Sequence, residues 1–130
     1  MSDFDYDLIV IGAGSGGTRT ARISASYGAK TLVIEGDRAG GTCVLRGCVP
    51  KKLLVYASQF SEQVSDAEGF GWQIDNFNSN WNDLIIKKNE ELDRLHEIYV
   101  KLIKNSGCEL ITGWGKIIGP NTVSITKSNN

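Results

Sequence analysis

The chain has 130 residues, 41% of them hydrophobic and 22% charged, with a formal net charge of -1, which suits one small domain with a modest core. No basic surplus points to nucleic acid, and no apolar run approaches the roughly 18 residues that a bilayer crossing needs. Three cysteines behind an acidic Met1–Asp7 stretch that resembles neither a secretion signal nor a transit peptide are too few for a disulfide scaffold, so the expected compartment is the cytoplasm.

In chain order, Tyr6–Ile11 is an apolar run that reads as a strand, ending in Gly-Ala-Gly-Ser-Gly-Gly. Thr18–Tyr27 is helix-compatible, Gly28 stops it, and Thr31–Ile34 is a second apolar run. The spacing predicts one βαβ unit with parallel strands. Residues 36–42 form a glycine-rich loop, and Pro50 opens a helical pattern to about Ala67. After the turn-rich Gly69–Asn80, a long helix is predicted over Asn82–Asn105, with Leu92, Leu95, Tyr99 and Leu102 on one face. Gly107 ends it, and Glu109–Thr112, Lys116–Ile118 and Thr122–Thr126 read as strands separated by Gly113, Gly115 and Gly119-Pro120-Asn121.

Gly12, Gly14 and Gly17 make a G-x-G-x-x-G pattern between a strand and a helix, and the acidic Glu35 ends the next strand. Gly12 permits the tight turn, Gly14 lets backbone approach a pyrophosphate, and Gly17 lets the helix pack on the strand. The helix amino terminus then faces the phosphates, and Glu35 can accept hydrogen bonds from ribose hydroxyls. The pattern predicts dinucleotide binding without distinguishing FAD from NAD.

Cys43 and Cys48 sit in Gly40-Gly41-Thr42-Cys43-Val44-Leu45-Arg46-Gly47-Cys48-Val49-Pro50-Lys51-Lys52. In a regular helix, residues five apart rise about 7.5 Å and diverge by about 140°, whereas a bridge needs Cα atoms about 4.4–6.8 Å apart. A bridge here therefore requires a distorted turn, for which Gly47 supplies backbone freedom. Near a helix start, with Lys51 close by, Cys48 would favour the thiolate. A zinc site is the rival chemistry, but nothing in the sequence supplies the other two ligands, so no metal is expected. Two unrelated structural cysteines is the plainer alternative.

The segment G-G-T-C-x-x-x-x-G-C-V-P-K-K, downstream of the glycine fingerprint, resembles the redox segment of the pyridine nucleotide-disulfide oxidoreductases, and its Pro-Lys-Lys ending is most similar to the glutathione reductase branch. The likeness runs from about Tyr6 to Val123. Leu45-Arg46 departs from it, since Asn-Val is commoner in the family. The implied fold is α/β: an incomplete Rossmann-like FAD-binding domain over residues 1–130, with a parallel sheet core, a long helical pair and a small β-meander at the C-terminal end. NADPH-binding and dimerisation domains would lie outside these residues, because the Lys127–Asn130 tail follows a strand without the further βα elements of a doubly wound sheet.

The resemblance also implies roles. NADPH reduces FAD, the flavin reduces a Cys43–Cys48 disulfide, and the thiols reduce glutathione disulfide. Cys48 is the flavin-side thiol, forming a charge-transfer pair when reduced, Cys43 is the interchange thiol, and Lys51 lies beside the flavin N5. Gly12, Gly14, Ser15, Gly16, Gly17, Glu35, Gly41, Thr42, Cys43, Lys51 and Gly115 would hold FAD. Ser15, Arg22 and Tyr99 would border the glutathione site, where an arginine suits an anionic substrate through forked pairing with carboxylates, and Arg19 adds positive potential. Trypanothione reductase, whose substrate is cationic, would show acidic character there. His96 sits on the polar side of the long helix and is not expected to be the acid-base group, which in the family comes from the partner subunit of a homodimer. Cys108 is expected to be a small buried residue, and Trp114 to pack. The competing readings are a reductase of the thioredoxin reductase or dihydrolipoamide dehydrogenase type, and a non-catalytic dinucleotide-binding module.

Overall fold

A computed structural model describes residues 3–127. Three parallel strands, β1 (Leu8–Ile11), β2 (Thr31–Glu35) and β3 (Glu109–Thr112), form a sheet in the order β1-β2-β3. The central strand β2 buries Thr31, Leu32, Val33 and Ile34 in succession, as a parallel strand covered on both faces does. Two helices, α1 (Ser15–Ser26) and α4 (Trp81–Asn105), cover one face. There Val10, Ala13, Ala21, Val33, Ala39, Ile103 and Cys108 make the core, with Leu8, Tyr99, Val100 and Leu110 packed against it. On the other face Leu32, Ile34 and Ile111 look across a groove towards Ile117, Val123 and Ile125.

Those last three residues belong to an antiparallel hairpin, β4 (Trp114–Gly119) and β5 (Thr122–Thr126). The small β unit at the C-terminal end is therefore two-stranded. The Glu109–Thr112 strand joins β2 in the parallel sheet instead, because Leu110 carries its apolar contact to the helical side.

Several boundaries differ from the sequence expectation, among them β4, which runs Trp114–Gly119 rather than Lys116–Ile118 and so takes in Gly115. Strand β1 starts at Leu8 rather than Tyr6, and α1 starts at Ser15, three residues early, directly on the glycine turn. The loop expected over residues 36–42 ends at Gly40, where a single helical turn, α2 (Gly41–Leu45), takes over, and α3 (Cys48–Ala67) begins two residues before Pro50. A proline is tolerated throughout the first helical turn, whose N–H groups lack intrahelical partners, so Pro50 marks the neighbourhood of the start and not the start itself.

The long helix α4 was the most legible element. Asn80 caps it through its side chain, accepting from Asn82 N at 2.9 Å and Asp83 N at 3.4 Å, with Asp83 in the first turn and Lys104 in the last, as the helix dipole favours. Gly107, at φ +82°, releases the chain into β3. The buried stripe centres on Leu92, Tyr99, Val100 and Ile103. Ile103 is 0% exposed, and Ile103→Ala is expected to cost about 2–5 kcal/mol of stability, read as a lower urea midpoint with unchanged denaturant slope.

Candidate functional site

The glycine turn is defined by what it cannot accommodate. A Cβ at Gly17 would lie 1.9 Å from the Gly12 carbonyl oxygen and 3.1 Å from Val10 Cγ1, so α1 can pack on β1 only through a glycine. At Gly12 and Gly16, by contrast, an added Cβ would meet nothing within 4 Å, leaving one side of the turn open. The first turn of α1 has neither a capping side chain nor an acidic residue. Its backbone donors are therefore available to an anion, unlike those of α4, which Asn80 satisfies.

Glu35 closes the other side of this turn. Its Oε2 accepts from Ala13 N at 2.6 Å and its Oε1 from Asp37 N at 2.9 Å. A carboxylate has about four acceptor sites, so both oxygens retain capacity for ribose hydroxyls. Gly40 N donates to Ala13 O at 2.9 Å, and Thr18 Oγ1 donates to the same carbonyl at 3.1 Å.

The cysteine-bearing turn rests directly on this fingerprint. Gly41 has φ +63°, and a Cβ there would come within 2.6 Å of Gly14 Cα. Both the conformation and the approach require glycine. From that contact α2 runs one turn, Arg46 and Gly47 break the helix, and α3 starts at Cys48. The break brings Cys43 and Cys48 to a Cα separation of 4.8 Å, and the two are disulfide-bonded. Cys43 is half-buried, while Cys48, Thr42 and Lys51 are exposed. Lys51 N donates to Gly47 O at 3.0 Å, closing the first turn of α3, and Lys51 borders a shallow groove with Arg46, Pro50 and Leu54.

The loop between β2 and α2 is pinned to α4 twice. Arg38 Nη2 pairs with Asp93 Oδ1 at 2.6 Å, and His96 Nδ1 lies 3.0 Å from Ala39 O. His96 is thus half-buried with a packing partner rather than free on the polar side of its helix. Sequence reasoning had no signal for either contact, because the partners lie 55 and 57 residues apart.

The contacts above bring Gly12, Gly14, Gly17, Glu35 and Gly41 to one turn, chain continuity places Ser15, Gly16 and Thr42 beside them, and Cys43, Cys48 and Lys51 follow on the bridged break. Gly115 is placed near that turn by β4: a Cβ there would meet Ile11 and Ile34 side chains at 3.2–3.3 Å. Neighbouring Trp114 lays its ring on Gly36, where an added Cβ would be 2.6 Å from the indole, and it remains 65% exposed. Arg22 and Tyr99 stand apart. Arg22 Nε donates to Ser106 Oγ at 3.3 Å, beside a depression also lined by Arg19, Ile23 and Ser26. Tyr99 packs half-buried against the core.

A family profile described as pyridine nucleotide-disulphide oxidoreductase matches residues 6–130. The chain belongs to that family. It is 52% identical over 126 residues to a glutathione reductase of Burkholderia cepacia, covering 97% of this chain and 28% of that protein. It is 47% identical over 122 residues to a glutathione reductase of Nostoc sp., covering 94% and 27%. A chloroplastic/mitochondrial glutathione reductase of Pisum sativum is 47% identical over 133 residues, covering 94% and 24%. The chain thus spans about a quarter of the length of the curated relatives it matches. For a member of this oxidoreductase family the residues present fit a flavin dinucleotide: an open glycine turn, an uncapped helix start and a paired acidic residue. No helix among the described residues is long and apolar enough to cross a membrane.

Cys108, as expected, is a buried thiol, donating to Ala21 O at 3.5 Å. Burial raises its pKa, and the Arg22 guanidinium opposes the shift. Because the folded value is the higher one, its contribution to stability is whole below the unfolded thiol pKa of about 8.5 and is lost as pH rises through the folded value. Iodoacetamide at pH 8 is expected to label Cys108 slowly in the native chain and rapidly in urea. Equal rates would show the thiol to be open. Gly41→Ala is expected to displace the turn from Gly14 and to cost about 1–3 kcal/mol of stability, read as a lower urea midpoint.

Proposed function

We propose that this chain is the flavin- and disulfide-bearing part of an NADPH-dependent, FAD-containing reductase of glutathione disulfide, acting within a longer polypeptide that dimerises in the cytoplasm. The observation that carries the reading is the bridged Cys43–Cys48 turn seated on the glycine fingerprint through Gly41 and Gly14. Supporting the longer, dimeric protein, Phe60, Phe70, Trp72 and Trp81 are each more than half exposed, at 58%, 84%, 68% and 65%, large apolar side chains that further protein would cover.

FAD would supply electrons to the bridge, and NADPH, held outside these residues, would supply them to FAD. Opening the bridge takes two electrons, and one proton leaves a thiolate and a thiol. The start of α3 favours the thiolate at Cys48, since the helix dipole stabilises negative charge there, and Lys51 adds a cation one turn on. Cys43, once ionised, attacks one sulfur of glutathione disulfide, forming a mixed disulfide and expelling one glutathione thiolate, which takes up a proton. Cys48 then attacks the Cys43 sulfur, re-forming the bridge and releasing the second glutathione. Residues from outside this chain would handle the leaving group's proton.

Arg22 suits the anionic substrate. It lies seven residues after Ser15, so the two share a face of α1, and with Arg19 it gives that face two cations. For Tyr99 the support is the resemblance alone.

In the full-length protein, Cys43→Ser and Cys48→Ser are each expected to lower NADPH-driven turnover of glutathione disulfide by at least about a thousandfold, as loss of a covalent nucleophile does. Arg22→Ala should raise KM about tenfold with kcat little changed. The isolated 130-residue chain should show negligible turnover. Turnover of a dithiol substrate with none of glutathione disulfide would refute the substrate assignment.

A further inference from the structure

We propose that Arg46 is a positioning residue. Through its ion pair with Asp37 it pins the break between α2 and α3, so that Cys43 and Cys48 stay in bridging geometry after the disulfide is opened. The inference rests on the two cysteines cycling between bridge and dithiol, as in the proposed function.

The need for a pin follows from the helix geometry. Only Arg46 and Gly47 separate α2 from α3. Were the two to merge, residues 43 and 48 would rise about 7.5 Å apart and diverge by about 140°, against a Cα separation of 4.8 Å in the bridged form. While the bridge is closed, the covalent bond forbids the merger. Once it opens, Pro50 still opposes a merged helix, in whose interior its ring would clash with the residue 46 carbonyl. Pro50 does not fix the angle between α2 and α3, however, and a further contact must hold the two cysteines in register.

Arg46 occupies the break itself. Its N–H still donates to Thr42 O at 2.9 Å, as the last bond of α2, while its φ and ψ of -135° and -6° have left the helix. Its guanidinium Nη2 pairs with Asp37 Oδ2. Asp37 is a fixed anchor: its N–H is bound by Glu35, and its neighbours Arg38 and Ala39 are tied to Asp93 and His96 of α4. The pair therefore joins the movable turn to a loop held from two sides. Among the described residues, Asp37 is the only carboxylate paired with Arg46.

The pair is exposed, with side chains 69% and 47% accessible, so its effect is that of a surface ion pair, about 1.5- to fivefold in an equilibrium constant. The test is the bridge-to-dithiol ratio of Cys43/Cys48 in the full-length flavoprotein, equilibrated with reduced and oxidised dithiothreitol, trapped by alkylation and read by mass spectrometry. Arg46→Ala and Asp37→Ala should each shift the ratio towards the dithiol by about 1.5- to fivefold, and the double alanine variant should shift it no further than either single. Arg46→Lys should keep most of the wild-type ratio. The charge-swapped Arg46→Asp/Asp37→Arg protein should return to it, which a variant that merely loosened the fold would not do.

Single variants at the wild-type ratio, or additive effects in the double, would overturn the pin. The equilibrium needs neither glutathione nor nicotinamide, so failure of the substrate assignment leaves it readable. Absence of coupling beside normal glutathione disulfide turnover would overturn the pin alone. Wild-type cysteines that do not bridge reversibly would overturn both the redox reading and the pin.

Discussion

The contact on which the site depends is one of backbone with backbone. Gly41 approaches Gly14 so closely that a single methyl group would collide with the Gly14 Cα at 2.6 Å, and Gly17 excludes one from the Gly12 carbonyl still more strictly. Strand β1, helix α1 and the disulfide turn are thereby stacked at main-chain distance, with no side chains as spacers. The open glycine turn and the sulfur pair come to share one wall for that reason. The Glu35 carboxylate adds to this by holding Ala13 and Asp37 together.

From that wall the disulfide geometry follows by interruption rather than by continuity. A continuous helix from Gly41 to Ala67 would carry Pro50 in its interior, at a cost of about 3 kcal/mol, and it would separate the two sulfurs. The two-residue break at Arg46 and Gly47 gives up regular helical hydrogen bonding locally, and it gains a bridge between residues five apart and a second helix amino terminus at Cys48. That second terminus matters chemically, because Cys48 heads a 20-residue helix whereas Cys43 lies in one of only five residues, so the partial positive charge is larger beside Cys48. Two cysteines of one turn thereby acquire unequal environments, Cys43 half-buried in α2 and Cys48 exposed at the head of α3.

The likeness to glutathione reductases extends over nearly all of the chain at 42–52% identity, so it covers scaffold as well as motif. Within the scaffold the burial of β2 on both faces explains why the hairpin β4–β5 is part of the domain. Without it, Leu32, Ile34 and Ile111 would lack cover. Gly115 and Trp114 then come to the end of the sheet that carries Glu35, because β4 crosses above Ile11, Ile34 and Gly36.

Much of this was legible in the residues alone. Local patterns specified β1, α1, β2 and α4, since apolar periodicity and the stops at Gly28 and Gly107 act within a few positions of each other, and a bridge at the cysteine spacing already demanded a broken helix. What no local pattern encodes is a pairing across 55 or more residues. The docking of Arg38 and Ala39 on α4, the packing of Tyr99 and His96, the pairing of β3 with β2 and the anchoring of Arg46 on Asp37 were decided only when the chain closed on itself. Arg46 and Asp37 are only nine residues apart, yet their meeting required the loop between them to turn back over the fingerprint. Sequence determines which backbone shapes each segment can take, through steric and hydrogen-bond limits that act over one or two turns. Which side chains then face each other is set by burial of the shared core, a property of all the segments together.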